Sequence, residues 1–143
     1  MQKKDLLKDV VKHIDIKSYD STQLVDAMRS MSFTSRDTAR AADILMMMCG
    51  EKGCTNILTI AGSTSAAGCM QVYVDMVRNK MIDVVVSTGA SIIDMDLFEA
   101  LGFKHYIGEK ENVVPDTTLR ELYIDRIYDT YIDEEELQIC DHA

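Results

Sequence analysis

Two short loops hold the residue types in this chain best suited to chemistry. The first, Gly62-Ser63-Thr64-Ser65-Ala66-Ala67-Gly68, follows an apolar run and opens a helix-length segment. The second, Ser87-Thr88-Gly89-Ala90-Ser91, follows another apolar run further along. Small residues let a ligand approach the backbone closely, and the free amides of a helix start favour an anion. The first loop is neither GxGxxG nor GxxxxGK, so alone it reads as a phosphate cradle or as a tight strand-to-helix turn. Two such loops converging on one sheet edge predict a pyrophosphate or ribose site. Asp94 and Asp96 follow closely. Their carboxylates would accept from ribose hydroxyls or pair with an ammonium group, or else cap the next helix.

No nucleophile–base pair accompanies the loops. His13, His105 and His142 are scattered along the chain. His105, near the carboxyl end of a predicted short strand, is the best placed of them, against a purely structural reading. Cys49, Cys54, Cys69 and Cys140 form no CxxC pair and have no histidine at ligand spacing. Three of them sit in apolar surroundings and read as small buried hydrophobes, in preference to a zinc or redox role. No catalytic residue is assigned.

The elements that must position the loops follow from periodicity. Leu6, Val10 and Ile14 predict a helix over 5–13, and Ser21 or Thr22 caps a second through Met31. Ser35 caps a third, which turns Ala39, Ala42, Leu45, Met46 and Cys49 to a core before Gly50 and Gly53. Thr55–Ala61 and Asp83–Ser87 are rich in Ile, Leu and Val without alternation, as in strands covered on both faces. The helix between them, over 66–80, is apolar around much of its circumference. Strand, crossover helix and strand make a parallel βαβ unit, expected to be right-handed. Further on, the pattern predicts a helix over 94–101, a short strand over 104–107, a helical turn over 117–122 and an extended segment over 126–131. A last helix is capped by Asp133. The chain thus divides into a helical lead-in over about 1–53, a βαβ core over about 54–108 and an acidic tail over 109–143.

Charge narrows the partners. Of the net −9, residues 109–143 carry −8, from eleven acids against three bases. No basic stripe offers itself to phosphates, which argues against nucleic acid. A polyamine or a lysine-rich protein would suit the acidic stretch, which otherwise reads as a solvated helix start. No apolar run approaches membrane-span length, and the charged amphipathic N-terminus is unlike a secretory signal. A cytoplasmic protein is expected.

The stretch MVRNKMIDVVVSTGAS with DLFEALGFKHYIG resembles the deoxyhypusine synthase family, including its bacterial and archaeal homologues. The likeness extends through AGSTSAAG, SFTSRDTARAADIL and LRELYIDRIYDTYIDEEEL, nearly the whole chain. It implies a partial Rossmann-like parallel sheet within an α/β fold, preceded by N-terminal helices, and NAD as cofactor. It also implies assembly into oligomers with active sites at subunit interfaces. In that family NAD oxidises spermidine, and the aminobutyl group passes through an enzyme-lysine imine to a lysine of the eIF5A precursor, or to a small amine. By position, Gly62, Ser63 and Gly68 match the family's first cofactor loop, and Thr88, Gly89 and Ala90 its second. Asp94 falls near an acidic residue of the NAD and amine site, although IIDMD departs from the eukaryotic pattern.

One requirement of the family is missing. Its imine-forming lysine lies in a Trp-containing motif of the C-terminal half, and this chain has no Trp. Lys80, Lys104 and Lys110 match no such motif. The expectation is therefore an N-terminal part of such an enzyme (a fragment, a truncated product or one chain of a split pair) that is inactive alone. The alternatives are a non-catalytic regulatory or partner subunit of a full-length homologue and a small nucleotide-binding or structural module.

Overall fold

The computed structural model describes residues 1–108 and 114–143. Glu109, Lys110 and Glu111 of the acidic stretch lie outside the described residues. The chain runs α1 (Lys3–Leu6), a 3-10 turn (Ile16–Ser18), α2 (Thr22–Met28), α3 (Phe33–Gly50) and β1 (Ile57–Ile60). A wide π-helical turn (Ser65–Cys69) leads into α4 (Met70–Arg78), then β2 (Val84–Ser87). A helix in three parts follows: α5 (Gly89–Ser91), a π-helical stretch (Ile92–Leu97) and α6 (Phe98–Ala100). The chain closes with β3 (His105–Ile107), α7 (Asp116–Glu121), β4 (Ile124–Ile127), β5 (Thr130–Asp133) and α8 (Glu134–Asp141). The class is α/β. The pair β1–β2 is parallel: Asn56 accepts from Val84, and Ile60 accepts from Thr88 at the same offset.

The chain forms two compact units, one of Met1–Ile14, Thr59–Gln71 and Val86–Ala143, the other of Asp15–Leu58 and Val72–Val85. In the first, β3, β5 and β4 form an antiparallel sheet in that order, with His105 opposite Ile132 and Ile127 opposite Thr130. The segment expected to be a helix over 5–13 ends its helix at Leu6 instead. Val10 bridges Tyr106, Val11 N–H donates to the His105 carbonyl, and Ile107 N–H donates to that of Asp9. Pairing with the edge of β3 takes the backbone groups a helix would have used. The predicted extended segment over 126–131 is a hairpin, because Tyr128 adopts φ +54° between β4 and β5. A turn built on Tyr-Asp, without Gly or Asn, carries no local signal.

Two apolar clusters hold this unit. Val114, Leu119, Ile124 and Tyr131 form one, and Phe98, Ile132 and Cys140 the other. Asp133 caps α8 as expected, with Oδ1 accepting from the amides of Glu135 and Glu136. The same oxygen takes the Lys3 ammonium at 2.6 Å, which ties α1 to the hairpin.

In the second unit α2 packs on α3, and Arg29 pairs with Asp43 between them. Asn56 donates its backbone amide to Asp83 at 2.8 Å and its side-chain amide to the Met81 carbonyl at 3.0 Å. The third helix starts at Phe33, after Ser32, rather than after Ser35. Ala39 is buried as expected, but Met46, Met47 and Cys49 are exposed.

The strands depart most from expectation. Ile57 is 55% exposed, and Val84, Val85 and Val86 are exposed too, although their apolar runs predict cover on both faces. A two-stranded sheet has too few neighbours among the described residues to supply that cover. The helix between them is only half-buried, with Asp75 as the buried residue of α4. Among the described residues no helix is long and apolar enough to cross a membrane.

Candidate functional site

The two loops come together where the parallel strands end. Thr88 N–H donates to the Ile60 carbonyl at 3.1 Å, which sets the second loop beside the first. Ser91 is fully buried, and its hydroxyl donates to the Gly62 carbonyl at 2.8 Å. It also shares a 3.0 Å hydrogen bond with the Thr88 hydroxyl. Thr88 is the extended residue before the helix, so Gly89 and Ala90 are its first turn. The leading amides of a helix have no partner within it. Gly62 has φ +75°, and a Cβ there or at Gly89 would meet nothing within 4 Å. That open space beside a helix start is what a phosphate or ribose requires.

The remaining candidates separate. Ser63 lines a cavity of about 250 Å³ with Thr64 and the hairpin turn of Ile127 to Thr130. Gly68 points elsewhere: its φ is +99°, and a Cβ would stand 3.0 Å from the Lys12 carbonyl oxygen. That glycine is required by the close approach of the N-terminal segment. Asp94 lies inside the helix rather than at its start, so neither it nor Asp96 is the cap; Thr88 holds that place. Partial burial and the charge of Asp141 raise the Asp94 carboxyl above its ordinary range. Among the described residues no three His, Cys, Asp or Glu side chains are grouped to hold a metal ion.

Sequence reasoning passed over Glu99. Its carboxylate accepts from His13 Nε2 at 2.5 Å and from His105 Nδ1 at 2.6 Å. The His105 side chain is 0% exposed, that of Glu99 9% and that of His13 21%. Burial pushes the Glu99 carboxyl up, but the two imidazole hydrogen bonds outweigh it and hold it below the usual carboxylate range. His105 opens β3 rather than closing it. Glu99 and His105 flank the Gly102 turn, while His13 lies far back in the chain, so no local pattern could have joined the three.

The family profile for deoxyhypusine synthase matches residues 23–143. The chain belongs to the deoxyhypusine synthase family. It is 66% identical over 142 residues to a deoxyhypusine synthase-like protein of Caulobacter vibrioides, covering 99% of this chain and 38% of that protein. A deoxyhypusine synthase-like protein of Coxiella burnetii is 59% identical over 141 residues, 99% of this chain and 40% of the relative. The probable deoxyhypusine synthase 2 of Methanosarcina acetivorans is 36% identical over 129 residues, 90% of this chain and 36% of the relative. The chain thus spans about two fifths of the length of these relatives.

This deoxyhypusine synthase-family chain also carries a larger groove, of about 780 Å³, which none of the loop residues lines. Asp125 and Glu134 lie in it. Their mutual hydrogen bond, then burial and the charge of Glu134, push the Asp125 carboxyl up to about 6 from 3.8. A raised carboxyl pKa means that the folded chain keeps a proton the unfolded chain has released. Stability therefore falls as pH rises through the window between those two values. Asp125 is exposed, so solvent screening holds the effect to about 1 kcal/mol or less. Urea denaturation of Asp125→Asn should show a flatter pH profile across that window than the wild-type chain. Equal slopes would mean that the pair is not formed in solution.

Proposed function

We propose that this chain is the NAD-site-contributing, N-terminal part of a deoxyhypusine synthase-like aminobutyl transferase that uses spermidine as donor and assembles through a completed Rossmann-like sheet. The observation that carries the reading is the Ser91–Gly62 hydrogen bond, which sets two small-residue loops side by side at the strand ends with open space beside both glycines. Family membership supports the choice of nucleotide. The residues present fit it: amides of Gly89 and Ala90 would hold a pyrophosphate, and Gly62 leaves room for its approach. Thr88 joins them at the helix start; Ser63 and Asp94 are assigned by the family resemblance alone, and Gly68 packs the first loop on the N-terminal segment. NAD, when bound, supplies the hydride acceptor for amine oxidation; the chain's own part is to bind and orient it.

Catalysis needs more chain than this. Lys80 and Lys104 are exposed, whereas an imine-forming lysine needs a desolvated setting to lower its pKa. The exposed strands Ile57–Ile60 and Val84–Ser87 favour completion by further strands, from the remaining length of such a protein or from a partner subunit. The acceptor is a lysine of the eIF5A precursor or a small amine. A non-catalytic partner subunit of a full-length homologue is the second reading that the exposed strands favour.

Titration with NAD, and release of diaminopropane from spermidine, test this in two preparations: the chain alone, and the chain with the remainder of the protein. The chain alone should release none, and the complete assembly should bind NAD and turn over. Loss of the Ser91 hydroxyl in Ser91→Ala should weaken NAD binding by about tenfold, the worth of one buried hydrogen bond. Turnover by the chain alone, or a complete assembly indifferent to NAD, would overturn the proposal. Intact-mass measurement of the native gene product decides between a longer protein and a partner subunit.

A further inference from the structure

One helix holds both ends of the first loop. At its start, Ser91 takes the Gly62 carbonyl at 2.8 Å. Near its end, Glu99 takes His13, and the two neighbours of His13 in sequence are the residues seated on Gly68. Ile14 N–H donates to the Gly68 carbonyl at 3.0 Å, and the Lys12 carbonyl stands where a Gly68 side chain would be. Between these ends the loop is a wide turn closed by Ala67 N–H to Ser63 and Cys69 N–H to Thr64, both at 3.0 Å. Such turns have poorer hydrogen-bond geometry than an α-helix and depend on support from outside.

The anchor is over-determined for a mere packing contact. Glu99 accepts from two rings, and His105 is locked by β3, where its own carbonyl takes the Val11 amide. The other ring nitrogens, His13 Nδ1 and His105 Nε2, are buried with no hydrogen-bond partner, so Glu99 is the polar partner that holds each ring. A buried carboxylate holding two imidazoles fixes geometry more sharply than apolar residues of the same size would.

We propose that His13, through Glu99, is a positioning residue that seats the N-terminal segment on Gly68 and so fixes the first loop for the nucleotide it binds. The identity of that nucleotide rests on the reading above; the seating does not. Freeing His13 lets Lys12 and Ile14 lift from Gly68, and the loop loses the support at its far end while Ser91 still holds the near one.

Amide hydrogen exchange on the whole chain, without ligand, tests the seating. In His13→Ala, the amides of Ile14, Ala67 and Cys69 should exchange about tenfold faster or more, while that of Leu122, in the Val114–Tyr131 cluster, is unchanged. His13→Gln, which restores a donor toward Glu99, should recover most of the protection; a purely space-filling role would not distinguish Gln from another side chain of its size, such as Met. Should His13→Ala fail to fold, Glu99→Leu asks the same question, since it removes the acceptor that both rings share. Unchanged exchange at Ala67 and Cys69, or no difference between His13→Gln and His13→Met, would overturn the proposal. In the complete assembly the same variants should weaken NAD binding by about tenfold. An assembly that never binds NAD would sink the nucleotide assignment and leave the exchange result standing.

Discussion

Phe98→Ala should cost about 3–5 kcal/mol, the range for removing a fully buried aromatic ring. That is a large part of the roughly 5–15 kcal/mol that holds an ordinary domain folded. Phe98 is completely buried, its ring centroid 5.2 Å from those of both Phe103 and His105, and it packs with Ile132 and Cys140. Those neighbours come from β3 and the turn before it, from β5 and from α8, so the cavity would be walled by separate elements that cannot all move inward. The ring also packs on His105, whose Nε2 is buried with no hydrogen-bond partner, so its loss would open space beside that imidazole. Urea denaturation followed by tyrosine fluorescence and circular dichroism reads this directly, since the chain has six Tyr and no Trp. A loss below about 1 kcal/mol would mean that the neighbours collapse around the gap.

The second large effect distinguishes two glycines that the sequence treats alike. Gly68→Ala should destabilise by about 2–4 kcal/mol, because φ +99° is strained for an L residue and the new methyl meets a backbone carbonyl at 3.0 Å. Gly62→Ala carries only the conformational part, about 1 kcal/mol, since nothing lies within 4 Å of its Cβ. Nucleotide affinity should show the opposite weighting in direct contact, because the Gly62 methyl would occupy the open space proposed for the ligand. Thermal melts of both variants, with NAD titration of the assembled protein, give the comparison. Equal destabilisation would mean that the Lys12 carbonyl yields freely, and would remove the close approach from the account of this loop.

Much of the local structure is legible from residue order alone. The apolar runs at Ile57–Ile60 and Val84–Ser87, with a helix-length segment between, specify strand, helix and parallel strand, because sterics and crossover length leave little else. Asp133 before three glutamates specifies a capped helix for an equally local reason. The loops were legible as candidates because small residues at a strand-to-helix junction have a restricted set of uses. Other features were not legible. Tyr128 turns a hairpin without a turn residue, and the N-terminal segment trades helical propensity for pairing with β3. Thr88, rather than Asp94 or Asp96, starts the helix, since the backbone bond to Ile60 places it there.

By itself, then, the sequence determined the α/β class, the parallel βαβ core, the two loops and the resemblance that family membership bears out. All of these rest on residues near one another in the chain, whose sterics and periodicity act without the rest of the fold. Only the tertiary structure decided which glycine faces open space and which faces a carbonyl, and that Ser91 ties the loops together. It alone joined His13 to Glu99, 86 residues apart. Contacts of that kind depend on how distant segments settle against each other, and residue order carries no local trace of them.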